Sequence, residues 1–171
     1  MIKNKRQRAI GVFDSGIGGL SVVKALHKIL PHEDIIYFGD TARLPYGTKS
    51  SDTIKRFALQ DAEFLLNRDV KVIIIACHTA AAIALDDLQK KYSIPIIGVI
   101  EPGARAVVKA TKNKKVGVIA TQATILAGAY ERAIKRLDPE IEIIAKPTPL
   151  FVSLAEEGWL NNPVTYQVAK I

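Results

Sequence analysis

Short runs of β-branched and aliphatic residues alternate along the chain with longer stretches whose apolar positions recur every three or four residues. The short runs predict six strands, at residues 9–14, 34–38, 70–76, 94–100, 115–121 and 142–145. The longer stretches predict helices at about 20–30, 50–67, 79–92, 126–137 and 152–157, with a further helix that ends near residue 111. Strands that alternate with helices build parallel sheets with right-handed crossovers, so the pattern predicts an α/β fold.

The pattern pauses at the Glu-Pro-Gly sequence of residues 101–103, after four strand–helix units, and then restarts for two more. We therefore predict a basic flexible tail at residues 1–8, a first α/β lobe at 9–100 and the start of a second α/β lobe at 101–171. The run at 70–76 is almost entirely apolar, which is typical of a central parallel strand covered on both faces.

Charge is concentrated at the beginning of the chain. The 171 residues contain 24 Lys and Arg against 17 Asp and Glu, and four of the basic residues lie within the first eight positions, which contain no acid. Such a segment is a solvated leader or a nucleic-acid-binding arm. The first is favoured because no aromatic residues interleave with the charges, so no nucleic-acid partner is expected.

Cys77 is the only cysteine in the sequence. A single cysteine excludes an internal disulfide framework and a cysteine-rich metal site, so we expect no metal and a reducing compartment, the cytoplasm. The longest apolar runs, at 72–77 and 80–85, are separated by two polar residues and are too short to cross a bilayer. No membrane association is predicted.

Polar residues stand at the end of almost every predicted strand. In an open parallel sheet, ligands bind at the carboxyl ends of the strands, so these residues are the first candidates for a site. They are Asp14 and Ser15, Asp40 with the loop residues Pro45, Tyr46 and Gly47, then Cys77, His78 and Thr79, then Glu101, and finally Thr121 and Thr124.

The glycine-rich loop at residues 14–19 has two interpretations. It is a tight turn, or it is an anion site in which free N–H groups at the start of a helix meet a ligand. The presence of Asp14 supports the interpretation as a ligand site, because a carboxylate at the end of an apolar strand is costly to bury without a cationic partner. An amino acid would satisfy both features, with its ammonium on Asp14 and its carboxylate on the N–H groups.

Cys77 also has two interpretations, an inert small apolar residue or a reactive thiol. A helix beginning at Thr79, with Thr79 as its N-cap, would present its positive end to the sulfur and lower the pKa of the thiol. A thiolate there would accept a proton from carbon or attack a carbonyl. His78 is a doubtful ion-pair partner, since neighbours in an extended chain point to opposite sides.

Six motifs together resemble the glutamate racemases of the aspartate/glutamate racemase family, in order and spacing. They are GVFDSGIGGLSV at 11–22, GD at 39–40, PYG at 45–47, ACxTA at 76–80, GVIEPG at 98–103 and GVIAT at 117–121. The resemblance implies two parallel-sheet lobes and a cofactor-independent enzyme that interconverts L- and D-glutamate, supplying D-glutamate for peptidoglycan. It also implies that a homodimer is the expected assembly.

By the family pattern, Cys77 is the acid or base on one face of the substrate Cα, and Asp14 assists it. The residues expected to hold the amino and carboxylate groups are Asp14, Ser15, Pro45, Tyr46, Gly47, His78, Thr79, Thr121 and Thr124. Inverting a stereocentre by proton exchange needs one group to remove the proton and another to deliver one from the opposite side.

The sequence departs from the family pattern at two places, and both bear on the activity that the resemblance implies. His78 stands where the family usually has Asn, which bears on substrate affinity and its pH dependence. The family uses two opposed cysteines, the second in a Cys-Thr-His motif that this sequence lacks. The expectation is a fragment or a short homologue with an incomplete second lobe and little or no racemase activity. Two alternatives remain: a non-catalytic amino-acid-binding or interaction protein, and a racemase of aspartate or another amino acid.

Overall fold

The computed structural model describes residues 7–171 and contains two parallel sheets. The first sheet has the order β2-β1-β3-β4, with strands β1 (Ile10–Asp14), β2 (Ile35–Gly39), β3 (Val72–Ile75) and β4 (Ile96–Gly98). The second pairs β5 (Lys115–Ala120) with β6 (Glu142–Pro147). Every strand pair is parallel, which confirms the predicted α/β fold.

Helices connect these strands in the order that the sequence predicts. They are α1 (Leu20–Ile29), α2 (Ser51–Leu66), α3 (His78–Lys91), α4 (Ile100–Ala110), α5 (Gln122–Leu126), α6 (Ala129–Leu137), α7 (Leu150–Glu156) and α8 (Pro163–Val168). A short 3₁₀ turn, Tyr46–Thr48, lies between β2 and α2. Among the described residues no helix is both long and apolar enough to span a membrane.

The first sheet is covered on both faces, as its apolar central strands require. On one face α2 and α3 pack against a core that includes the fully buried Phe13, Ile73 and Ile75. On the other face, the apolar side of α1 packs over a smaller cluster formed by Ile10, Val12 and Ala76. This packing fixes the carboxyl ends of β1 and β3 side by side, where the site forms.

Three elements differ from the sequence prediction. The helix expected at 126–137 is two helices, α5 and α6, because Gly128 adopts a left-handed conformation with φ of 61° that interrupts the helix. Strand β4 ends at Gly98, and residues 101–103 lie in the first turn of α4 instead of forming a break. Helix α8 was not predicted. The lobe boundary at residue 101 stays a prediction, and most of the predicted basic tail lies outside the described residues.

Candidate active site

A cavity of about 570 Å³ lies between the carboxyl edge of the first sheet and the second sheet. Nine of the ten predicted site residues line it: Asp14, Ser15, Tyr46, Gly47, Cys77, His78, Thr79, Thr121 and Thr124. The tenth, Pro45, is half-buried beside the cavity, at the position that precedes the 3₁₀ turn. Asp14, Ser15 and Cys77 meet because β1 and β3 end at the same edge of the first sheet, and Thr121 and Thr124 reach the cavity from the end of β5 in the second sheet.

The glycine loop after β1 is held closed around Asp14. The Asp14 side chain is 7% exposed, and its Oδ2 accepts a hydrogen bond from the Gly16 N–H at 3.0 Å. The Tyr37 hydroxyl donates to the Gly16 carbonyl oxygen at 2.7 Å. A Cβ at Gly19 would lie 2.7 Å from the Asp14 Cβ, so only glycine fits there. Tyr37 was not among the predicted site residues.

Cys77 caps the first turn of α3, which corrects the prediction that Thr79 is the N-cap. The Cys77 Sγ accepts a hydrogen bond from the Ala80 N–H at 3.4 Å, and the thiol donates to the Ser15 Oγ at 3.5 Å. The sulfur lies at the cavity wall in a residue that is 5% exposed. The structure therefore places a thiol at the positive end of a long helix, beside a hydroxyl and near Asp14.

The predicted lowering of the Cys77 pKa is wrong. Burial raises the pKa of the thiol above its ordinary value, and the negative charge of Asp14 raises it further. Hydrogen bonds that the thiolate would accept from Ser15 and from the Ala80 N–H act in the opposite direction but are outweighed. The cause is desolvation, since a thiolate in this wall would lose most of its hydration.

His78 is the first residue of α3, and its imidazole borders the cavity. The ring stacks on the Tyr130 ring of α6, with centroids 6.1 Å apart and planes inclined by 21°. Burial lowers the pKa of His78 below its ordinary value, and the Asp14 charge opposes this only in part. The side chain is therefore a neutral hydrogen-bonding group at neutral pH.

Three threonine hydroxyls form a closed triangle on the wall of the cavity. The Thr79 Oγ1 lies 2.9 Å from the Thr121 Oγ1 and 3.1 Å from the Thr124 Oγ1, and the last two are 2.8 Å apart. Thr121 is also the N-cap of α5, where its hydroxyl accepts from the Thr124 N–H. Each hydroxyl has one hydrogen and can also accept, so a hydroxyl that turns its hydrogen toward a ligand carboxylate gives up one contact of the triangle.

Glu156 of α7 reaches the glycine loop and is a site residue that the sequence analysis missed. Its carboxylate accepts a 3.4 Å hydrogen bond from the Ile17 N–H and lines the cavity with Asp14. No Lys or Arg is found among the described residues that line the cavity. A ligand cation would thus meet two carboxylates, and ligand carboxylates would meet hydroxyls, N–H groups and the imidazole.

Two other strand-end candidates point away from the cavity. Asp40 bonds to Tyr46 and Arg43 behind the loop that follows β2. Glu101 forms ion pairs with Arg105 and Arg136 on the protein surface. Within residues 7–171 no group of three or more potential ligands is placed to hold a metal ion.

Comparisons with known proteins agree with this geometry. Residues 10–150 match the model of the Asp/Glu/Hydantoin racemase family. A protein named glutamate racemase from Geobacter metallireducens is 55% identical over 163 residues, which cover 95% of this chain and 60% of that protein. The chain therefore spans about 60% of the length of that relative.

Solved structures show the same relationship. The crystal structure of glutamate racemase from Francisella tularensis in complex with D-glutamate superposes with a TM-score of 0.89 at 53% identity, covering 96% of this chain and 62% of that one. Glutamate racemase from Campylobacter jejuni gives a TM-score of 0.87 at 44% identity, with 94% and 64% covered.

Proposed function

Because the chain belongs to the Asp/Glu/Hydantoin racemase family, we propose that it forms the glutamate-binding part of a cofactor-independent glutamate racemase. Such an enzyme interconverts L- and D-glutamate and would supply D-glutamate for peptidoglycan. The observation that carries the proposal is the Cys77 thiol on the wall of a cavity that also contains Asp14 and the threonine triangle. The relative solved with D-glutamate supports the choice of substrate.

The charges of the cavity fit an amino acid with two carboxylates. The substrate ammonium would lie between Asp14 and Glu156, which otherwise leave two negative charges without a cation at the glycine loop. One carboxylate would accept hydrogen bonds from the threonine triangle. The other would meet Ser15, the imidazole of His78 or the Gly47 backbone, depending on how the substrate enters.

Cys77 would exchange the proton at the substrate Cα. In its thiolate form the sulfur takes that proton, and the electron pair of the C–H bond moves toward the α-carboxylate; the reverse step returns a proton to the same face. The ammonium beside Asp14 would offset the one charge that raises the thiol pKa, which adds to the larger effect of burial. Substrate binding therefore reduces the cost of forming the thiolate that the reaction needs.

The single thiol limits what these 171 residues would do alone. Racemisation needs a second acid on the opposite face, and Cys77 is the only cysteine present. We therefore expect the 171-residue polypeptide to exchange the Cα proton with retention of configuration and to form little or none of the other enantiomer. The same observation favours the alternative of a non-catalytic amino-acid-binding protein, which would bind glutamate without any exchange.

Calorimetric titration with glutamate and with aspartate tests the substrate. We expect glutamate to bind more tightly than aspartate, because the shorter side chain cannot reach both walls of the cavity. Asp14→Asn should abolish binding by removing the partner of the ammonium, whereas Asp86→Asn, on the exposed side of α3, should not. Equal or tighter binding of aspartate would favour a racemase of that amino acid.

A further inference from the structure

A cluster of four side chains, three of them buried, lies in and behind the loop that contains Tyr46 and Gly47. It consists of Asp40, Arg43, Tyr46 and Asp61, and we call it the carboxyl–tyrosine cluster. Asp61 is 0% exposed, Tyr46 1% and Asp40 5%. Asp61 comes from the middle of α2, whereas the other three belong to the segment between β2 and α2. The cluster thus connects the loop between β2 and α2 to the middle of α2.

The polar contacts within the carboxyl–tyrosine cluster lie between 2.5 and 2.9 Å. The Tyr46 Oη lies 2.5 Å from the Asp40 Oδ2 and 2.8 Å from the Asp61 Oδ2. Arg43 bridges the same carboxyl groups, with Nε 2.6 Å from the Asp40 Oδ2 and a terminal nitrogen 2.9 Å from the Asp61 Oδ1. Arg43 also bonds to Gln60 and stacks over Phe57, so its position is fixed.

If both carboxyl groups were ionised, one of the two contacts of the Tyr46 hydroxyl would lack a hydrogen. The phenol has a single hydrogen, yet its oxygen lies within hydrogen-bond distance of a carboxyl oxygen on each side. Both contacts are hydrogen bonds only if one carboxyl group is protonated. The Asp40 Oδ2 already receives Arg43 and the phenol, so the extra proton fits on Asp61, which then donates to the Tyr46 Oη.

The carboxyl–tyrosine cluster reaches the cavity directly through Tyr46, which lines it, and also through the neighbouring Gly47. Tyr46 begins the 3₁₀ turn, and the next residue packs on Thr121, where an added Cβ would meet the Thr121 Cβ at 2.3 Å. Thr121 in turn is a member of the threonine triangle. A shift of the Tyr46 ring would therefore move the wall on which we place the substrate.

We propose that Asp61 is a positioning residue for the glutamate site: its protonated carboxyl group holds Tyr46, and through Tyr46 the loop that closes the cavity. Loss of that proton leaves two negative oxygens against a phenol that can donate to only one of them, so the loop loosens and glutamate binds more weakly. This role deepens the proposed function and rests on it for the identity of the ligand.

The electrostatics of the cluster support this role. Burial raises the pKa of Asp61 to about 7, and the nearby carboxylates of Asp40 and Asp14 add to the increase, while Tyr46 and Arg43 oppose it. These four are the charged and titratable groups that face Asp61, from the loop, from the end of β2 and from the end of β1. A carboxyl group with that pKa would be mostly protonated below neutral pH and mostly ionised above it.

The same proton affects folding stability in a defined direction. A carboxyl group whose pKa is higher in the folded chain stabilises the fold most fully below its unfolded value, near 3.8. That contribution is lost as the pH rises through the folded value, about 7. Asp61→Asn keeps the geometry, because an amide can donate to the Tyr46 Oη and accept from Arg43, but it does not titrate.

The test compares the 171-residue chain with Asp61→Asn and with Asp52→Asn, an exposed aspartate on the same helix. D-glutamate affinity is measured by calorimetry at about pH 6 and about pH 8, where a group with a pKa of about 7 changes from mostly protonated to mostly ionised. We expect the wild type and Asp52→Asn to lose up to about tenfold in affinity between these pH values, and Asp61→Asn to retain its pH 6 affinity at both.

A second measurement does not depend on the ligand. In the chain without ligand, the ¹³C resonance of the Asp61 carboxyl group and the ring resonances of Tyr46 should titrate with one shared midpoint near neutral pH. An Asp61 midpoint near the ordinary aspartate value, or wild-type pH dependence of binding that persists in Asp61→Asn, would overturn the positioning role. If no variant binds glutamate at about pH 6, the proposed function fails, and the Tyr46 titration alone then decides whether Asp61 positions the loop.

Discussion

Gly47 lies so close to Thr121 that a Cβ at residue 47 would sit 2.3 Å from the Thr121 Cβ and 2.9 Å from its hydroxyl oxygen. The contact joins the loop after β2, which belongs to the first sheet, to the N-cap of α5, which follows the second. It is thus, with the threonine triangle, one of the contacts at which the two halves of the proposed substrate wall meet. No room remains for a side chain at residue 47. The carboxyl–tyrosine cluster holds the loop that contains Gly47, and Thr121 is held as the N-cap of α5.

Gly47→Ala should separate the loop from Thr121. Overpacking of this kind costs about 1–3 kcal/mol, and we expect glutamate affinity to fall as well because the displaced loop no longer closes the cavity. Gly117→Ala is the matched control for stability, since an added Cβ there meets nothing within 4 Å. Urea unfolding of both variants gives the comparison, and equal stability of the two would contradict the close packing.

His78→Asn should change how stability depends on pH. Because burial lowers the pKa of His78 in the folded chain, the neutral imidazole contributes stability above its unfolded value of 6.5, and this contribution is lost as the pH falls through the lower folded value. The asparagine variant does not titrate, so its unfolding free energy should fall less than that of the wild type on acidification below 6.5. His78→Gln is also neutral and should show the same pH dependence of stability as His78→Asn. If the unfolding free energies of the wild type and both variants change equally with pH, His78 is not a buried neutral imidazole.

The second sheet exposes apolar side chains on one face, and this predicts self-association. Ile119 and Ile144 are each 63% exposed on that face. Such a patch beside unpaired strand edges favours contact with another chain. Sedimentation velocity over a range of concentrations should show association that Ile144→Thr weakens, whereas Ile29→Thr, at the exposed end of α1, should leave it unchanged. A monomer at every concentration would count against this prediction.

Much of the fold could be predicted from the sequence because parallel strands have a strong apolar pattern. The meeting of Asp14 and Cys77 at one edge follows from the strand ends of the first sheet, whereas Thr121 joins them only because the second sheet packs opposite that edge. The interruption at Gly128 was harder to predict, because a glycine within an amphipathic stretch is compatible with an unbroken helix until its φ is known.

The parts of the site that were missed depend on tertiary contacts. Glu156 reaches the glycine loop from a residue 139 positions away from its partner Ile17, and no local pattern predicts such a contact. Asp61 did leave a signal: it falls on the buried stripe of α2 beside Ala58, Ala62 and Leu65. The pKa of Cys77 was predicted in the wrong direction because the helix terminus was considered without the desolvation that surrounds the sulfur.

Exchange of the glutamate Cα proton tests the central role of Cys77 most directly. The purified 171-residue chain is incubated in D₂O with D-glutamate and, separately, with L-glutamate, and proton NMR follows loss of the Cα–H signal while a chiral assay follows the enantiomers. We predict exchange with at least one enantiomer, little or no formation of the other, and loss of exchange in Cys77→Ser with glutamate binding retained. Exchange or racemisation that continues undiminished in Cys77→Ser would contradict the account.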